Sequence, residues 1–198
     1  KNDHLIQKRV KEKKLKLKMV NVDTKLNKFQ LKRIKNRYFF SRSNQANLSF
    51  VLEIIKKFNI KLNQLFRSIN KFKGLNYRQE IIYKKNKLLI INDSKSTSYS
   101  SSKELLEMYE NIHWLIGGIP KKDDKFLLSK KYFKNIKVYV FGKNFKKFSK
   151  DLREKTEIKR FKNLNLALSA IFKNISKKKY SNNTILFSPA SASFDSFK

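Results

Sequence analysis

The sequence has no cysteine, which removes disulfides, thiol nucleophiles and thiolate metal sites together. It has only four glycines, Gly74, Gly117, Gly118 and Gly142. Neither a G-x-x-x-x-G-K-[ST] phosphate loop nor a G-x-G-x-x-G dinucleotide turn can be drawn from them. The two histidines, His4 and His113, are too few for a zinc cluster or a supported Ser-His-Asp triad. His113 falls inside a predicted strand and reads as a hydrogen-bonded, half-buried imidazole. No apolar run approaches the roughly 20 residues of a membrane helix, so no membrane insertion is expected. No signal-peptide pattern opens the chain and nothing points to export, which sets the expectation of a cytoplasmic protein.

Acidic residues are also scarce: 15 against 48 basic ones, for a formal net charge of +33. Such an excess usually points to nucleic acid or an anionic membrane. Only eight of the basic residues are Arg, and the lysines are spread along the whole chain. Nucleic-acid readers favour the bidentate Arg fork. Lys, Asn, Ile and Phe all have A/T-rich codons, so a base-composition bias accounts for the excess and no nucleic-acid partner is expected. A basic nucleic-acid-binding α/β domain is the alternative. With 198 residues, 40% hydrophobic and 13% aromatic, the chain can bury a real core in one domain or two small ones. It starts at Lys1 rather than Met and stops directly after a motif, and so reads as a piece of a longer protein.

Lys8–Lys18 reads as a solvated helix or strand edge. Arg37–Phe40 reads as a short strand. Helical spacing then covers Gln45–Phe58 and Lys61–Phe72, with Gly74 as a C-cap. From Asn76 onward, strands and helices alternate. A hairpin at Glu80–Tyr83 and Lys87–Ile91 is followed by a helix at Ser100–Glu110 and a strand at Ile112–Ile116. A short helix at Phe126–Phe133, a strand at Ile136–Phe141 and a helix at Asn144–Arg153 come next. A weak strand at Thr156–Phe161, a helix at Asn163–Ile175 and a strand ending at Phe187 complete the pattern. The fold class is therefore α/β, a mostly parallel sheet flanked by helices.

Three apolar strands run directly into polar loops. Leu88–Ile91 leads to Asn92-Asp93-Ser94-Lys95-Ser96-Thr97. Ile112–Ile116 leads to Gly117-Gly118-Ile119-Pro120-Lys121-Lys122. Thr184–Phe187 leads to Ser188-Pro189-Ala190-Ser191-Ala192-Ser193. If these strands are parallel neighbours, the loops share the carboxyl-end rim where open α/β sheets bind ligands. Lys95 and Lys121 as cations, with Thr97 and Ser193 as hydroxyls, suit a small dicarboxylate, with loop polarity unrelated to a ligand as the alternative. Asp93 would repel an anion and suits a ribose hydroxyl or a metal–phosphate group.

Together with Phe72-Lys73-Gly74-Leu75-Asn76-Tyr77-Arg78-Gln79-Glu80 and the tail Phe194-Asp195-Ser196-Phe197-Lys198, these loops resemble the Mur ligases. The likeness is to the members that add D-glutamate, and it covers most of Ser43–Lys198 in the right order. It implies an ATP-dependent amide ligase of peptidoglycan synthesis that activates a carboxylate as an acyl phosphate. A Mur ligase for a different amino acid is the alternative within the family. Residues 1–75 would be the end of a central ATP-binding domain, and 76–198 a Rossmann-like domain binding the amino acid. The implied substrates are D-glutamate and UDP-N-acetylmuramoyl-L-alanine, the implied cofactors ATP and Mg2+, and the expected state a monomer. By the resemblance, Thr97, Lys121 and Ser193 hold D-glutamate, with Lys95 and Phe194 in the same substrate-binding set. Asp93 and Arg78 meet ATP, and Asn44 and Asn47 contact adenine. His4, in Asn2-Asp3-His4-Leu5, serves the magnesium site, and Lys14 stands for the carbamylated lysine that follows it. Ser43 and Tyr77 replace histidines usual in the family, and His4 and Lys14 are closer than its usual spacing. The phosphate loop would lie upstream of Lys1, so these 198 residues alone are expected to be inactive.

Overall fold

The computed structural model describes residues 4–14, 16, 26–176 and 182–192. The chain divides into two units, Lys1–Lys73 and Gly74–Lys198.

The first unit is helical. Helix α1 (His4–Glu12) buries none of its residues, so the basic stretch begins as a solvated helix. Helix α2 (Lys28–Arg33) opens on a capping box: the Gln30 N–H donates to Asn27 Oδ1 at 2.8 Å and the Asn27 N–H to Gln30 Oε1 at 2.9 Å. Arg37–Phe40 is a 3-10 turn, not a strand. Asn36 Oδ1 accepts from the Tyr38 N–H at 3.0 Å and bends the chain there. Helix α3 (Arg42–Lys57) buries Leu48, Leu52 and Ile55, one stripe at i, i+4 and i+7. Helix α4 (Leu62–Lys71) meets it with Leu65, Phe66 and Ile69. Val51, Ile54 and Phe72, which share the apolar pattern, stay exposed. Gly74 has a positive φ of 86° but lies beyond the C-cap of α4, which is Phe72.

The second unit is built on a six-stranded sheet. Strands β1 (Glu80–Lys85) and β2 (Leu88–Asn92) form the expected antiparallel hairpin, turning at Asn86 with φ +53°. Every other pairing is parallel, among β2, β3 (Ile112–Gly117), β4 (Ile136–Phe141), β5 (Ile158–Phe161) and β6 (Asn183–Phe187). The order across the sheet is β1-β2-β6-β3-β4-β5. The last strand in sequence therefore sits between the second and third.

Side chains alternate across the strands, as a pleat of period two requires. Trp114, Ile116, Val138 and Val140 pack on one face with α5 (Tyr99–Met108) and α6 (Phe145–Leu152). Leu115, Tyr139, Phe141 and Ile185 pack on the other with α7 (Leu164–Ser176). Both faces are covered, which explains the unbroken apolar runs of β3 and β6.

One expectation in this unit fails for a physical reason. Phe126–Phe133 is not a helix; only a 3-10 turn at Lys130–Asn135 forms. Phe126, Leu128 and Phe133 are buried while Leu127 is 79% exposed, a spacing no helix face provides. Lys155 Nζ donates to the carbonyls of Phe126 and Leu128 at 3.0 and 2.8 Å, replacing the missing helical bonds. Helix α5 opens on a capping box between Ser98, its N-cap, and Ser101.

Candidate functional site

The carboxyl ends of β2, β6 and β3 lie side by side on one rim. The loops after β3 and β6 are laced together by their backbones. The Ile119 N–H donates to the Ala192 carbonyl at 2.7 Å, and the Ala192 N–H returns to Ile119 at 3.2 Å. The Ser191 hydroxyl donates to the Gly117 carbonyl. This approach needs glycine at position 118: its φ is +101°, and a Cβ there would stand 2.5 Å from the Ala192 carbonyl oxygen. Lys121 follows this bridge and is exposed.

The β2 loop joins the same rim. The Asp93 N–H donates to the Phe187 carbonyl at 2.7 Å, fixing the β2 loop to the end of β6. The Asp93 side chain turns inward and is 6% exposed. Its Oδ1 accepts from the Gln79 N–H at 3.1 Å and its Oδ2 from the Ser188 hydroxyl at 2.9 Å. Burial pushes its carboxyl up to about 6; the Gln79 and Ser188 bonds and the Arg78 charge act the other way but do not cancel it. Arg78 is exposed and sits between two left-handed residues, Tyr77 and Gln79. The Lys95 N–H donates to the Tyr77 carbonyl at 3.1 Å, so the Arg78 segment folds onto the β2 loop. Thr97 and the Lys95 side chain are exposed.

The opposite rim carries a cavity of about 230 Å³, lined by Asn111, His113, Lys137, Asn174 and Asn183 among others. His113 is 5% exposed, buried rather than half-buried. Its ring nitrogens lie 3.1 Å from the Tyr139 hydroxyl and 3.2 Å from Asn183 Oδ1.

Two curated relatives decide the family. A UDP-N-acetylmuramoylalanine–D-glutamate ligase of Wolbachia sp. subsp. Brugia malayi is 33% identical over 156 residues, 79% of this chain and 31% of that protein. The ligase of the same name from Francisella tularensis subsp. tularensis is 35% identical over 162 residues, 80% of this chain and 38% of that protein. The chain belongs to the Mur ligase family. It spans about a third of the length of these curated relatives. No family model matches it. Among solved structures, a UDP-N-acetylmuramate–alanine ligase of Thermotoga maritima aligns with a TM-score of 0.54 at 19% identity, over 77% of this chain and 35% of that one. A MurF ligase of Thermotoga maritima in complex with ADP gives 0.51 at 14%, over 77% and 36%. These likenesses show the fold.

In this Mur ligase chain, Asp93, Lys95, Thr97 and Lys121 stand on loops of one rim, with Arg78 folded beside them. Ser193 and Phe194 lie outside the described residues. In the helical unit, Asn44 and Asn47 stand three residues apart on α3. Asn47 is exposed; Asn44 is 7% exposed and its Nδ2 donates to the Tyr38 carbonyl at 2.6 Å. His4 and Lys14 are both exposed; His4 opens α1, whose eight steps span roughly 12 Å, and Lys14 lies two residues past its other end with φ +49°. Sequence reasoning missed Ser96, Ser102 and Ser188, the buried hydroxyls behind Asp93. The serine-rich runs 94–102 and 188–193 were the available sign; what hid their role was the unknown order of strands.

Proposed function

We propose that this chain is the amino-acid-binding part of an ATP-dependent ligase that joins D-glutamate to UDP-N-acetylmuramoyl-L-alanine in peptidoglycan synthesis. One observation carries the reading: the loops bearing Thr97 and Lys121 and the loop leading to Ser193 rise from adjacent parallel strands on one rim. There the ammonium of Lys121 and the hydroxyls of Thr97 and Ser193 hold the D-glutamate carboxylates through charge-assisted bonds. Lys95 and Phe194 complete the substrate-binding set. Asp93, with Arg78 beside it, accepts from a nucleotide ribose. Asn44 and Asn47 serve adenine. In this reading residues 1–75 close an ATP-binding domain and 76–198 form the amino-acid domain of a monomeric, cytoplasmic enzyme.

ATP, when bound, supplies the phosphoryl group that activates the alanine carboxylate for attack by the D-glutamate amine. This chain's part is to place that amine and screen the acid's charges, so its contribution is positional. Magnesium is a different case. Among the described residues no three His, Asp or Glu gather to hold a metal ion. His4 and Lys14 do not make a magnesium site by themselves, and no step is assigned to the ion.

Titrating D-glutamate into the 15N-labelled chain tests the reading. Saturable amide shifts are expected in the loops of Thr97 and Lys121, weaker with L-glutamate and lost in Thr97→Ala and Lys121→Ala. Shifts scattered over exposed lysines, or none at millimolar D-glutamate, would overturn it. ADP release that depends on D-glutamate is expected to be absent from these 198 residues alone.

A further inference from the structure

Behind Asp93 runs a line of serine hydroxyls. Ser188 Oγ lies 2.9 Å from Asp93 Oδ2 and 2.7 Å from Ser102 Oγ. Ser102 Oγ lies 2.9 Å from Ser96 Oγ, which lies 2.7 Å from Ser101 Oγ. Ser188 and Ser102 are fully buried and Ser96 is 3% exposed. The line crosses three elements: the β2 loop, the start of α5 and the β6 loop. We propose that Ser96, Ser102 and Ser188 form a one-way hydroxyl chain that holds the Asp93 carboxylate as an acceptor, with Ser188 as its positioning residue.

The direction follows from proton counting. A serine hydroxyl has one proton, and an ionised carboxylate only accepts. The Ser188 proton therefore goes to Asp93. Ser102 must then donate to Ser188, and its contact with Ser96 at 2.9 Å is a hydrogen bond only where Ser96 donates it, in competition with Ser101 Oγ at 2.7 Å. The competing acceptors for Ser102, the carbonyls of Ser98 and Ser188, are 3.5 Å away and weaker. Each donor in such a line polarises the next and strengthens the bond that reaches the carboxylate. The Trp114 indole N–H donates to the Ser188 carbonyl at 2.7 Å and so holds the backbone that carries this hydroxyl. The other groups facing the carboxylate are the Gln79 N–H and the Arg78 charge. Each carboxylate oxygen can accept a second hydrogen bond. The hydroxyl chain sets where those second acceptor directions point. That they meet a ribose rests on the functional reading above; the hydroxyl chain itself does not.

The test is a 13C carboxyl titration of Asp93 in the full 198-residue chain and in Ser188→Ala, Ser102→Ala and Ser96→Ala. Losing the donor to the charged form raises the midpoint by roughly one pH unit in Ser188→Ala, less in Ser102→Ala and least in Ser96→Ala. If Ser188→Ala fails to fold, Ser188→Cys keeps the volume with a poor donor and shifts the same way. Variants that lose thermal stability but leave the midpoint alone, or shift it equally, would overturn the proposal. An ADP titration separates the two readings. Roughly tenfold weaker ADP binding in Ser188→Ala supports the ribose role. A graded midpoint shift with no ADP binding by the unsubstituted chain would leave the hydroxyl chain standing and remove the ribose role.

Discussion

The two rims of the sheet solve opposite problems with similar residue types. At the carboxyl-end rim, loops are drawn together by backbone bonds, a glycine contact and a serine line, and Asp93 is buried among them. At the amino-end rim, His113, Tyr139, Asn174 and Asn183 bond to one another around an open cavity. The amino-end rim holds the cavity, yet the loops that could recognise a ligand leave from the other end. The lesson is that connectivity and not emptiness marks the rim: parallel strands that neighbour each other deliver their following loops to one place.

Substitutions at positive-φ positions of the two rims put this contrast to work. Gly118→Ala adds a Cβ against the Ala192 carbonyl at a φ that disfavours side chains, and is expected to cost roughly 3–5 kcal/mol in urea unfolding. Loss of under about 1 kcal/mol would mean the two loops are not tightly laced.

Asp93 comes next. Its carboxyl is raised from 3.8 to about 6, so its unfavourable burial is absent below pH 4 and grows as pH rises through 6. Asp93→Asn keeps the shape and removes the charge. Relative to the unsubstituted chain it should gain stability between pH 4 and 7, by up to about 3 kcal/mol for a shift of this size. Equal unfolding curves at both pH values would show the carboxylate to be solvated.

The amino-end rim should respond less. Tyr139→Phe deletes the hydroxyl between His113 Nδ1 and Asn174 Nδ2, and about 1–2 kcal/mol should be lost. The D-glutamate response of the Thr97 and Lys121 loops should be unchanged, and any change there would couple the two rims. The smallest effect is expected at Asn111, where φ is +49° but the residue is Asn and not Gly. Asn tolerates this region, so Asn111→Gly should change stability by less than about 1 kcal/mol, against the large loss at Gly118. Thermal unfolding of the two variants side by side measures the contrast.

Much of this was legible one element at a time. Apolar runs marked β2, β3 and β6, and their spacing set the buried stripe of α3. Where reading failed, a side chain had taken over backbone bonds, from far along the chain in one case and from next door in the other. Lys155 satisfies the carbonyls of the stretch at 126–128, so that stretch needs no helix. Asn36 turned a strand-like Arg-Tyr-Phe-Phe into a 3-10 turn. In the site, the residue types at Asp93, Lys95, Thr97 and Lys121 suggested anion and ribose chemistry. The serine-rich runs around Asp93 did not say which hydroxyls are buried behind it, since a buried hydroxyl and an exposed one look alike in sequence.

By itself, the sequence determined most of the strands and helices, because periodicity and capping act over a few residues. It also determined the chemistry each loop carries. Only the tertiary structure decided that the last strand inserts between the second and third, and so which loops meet. Strand order is fixed by pairing and burial between residues far apart in the chain, and no local pattern records it.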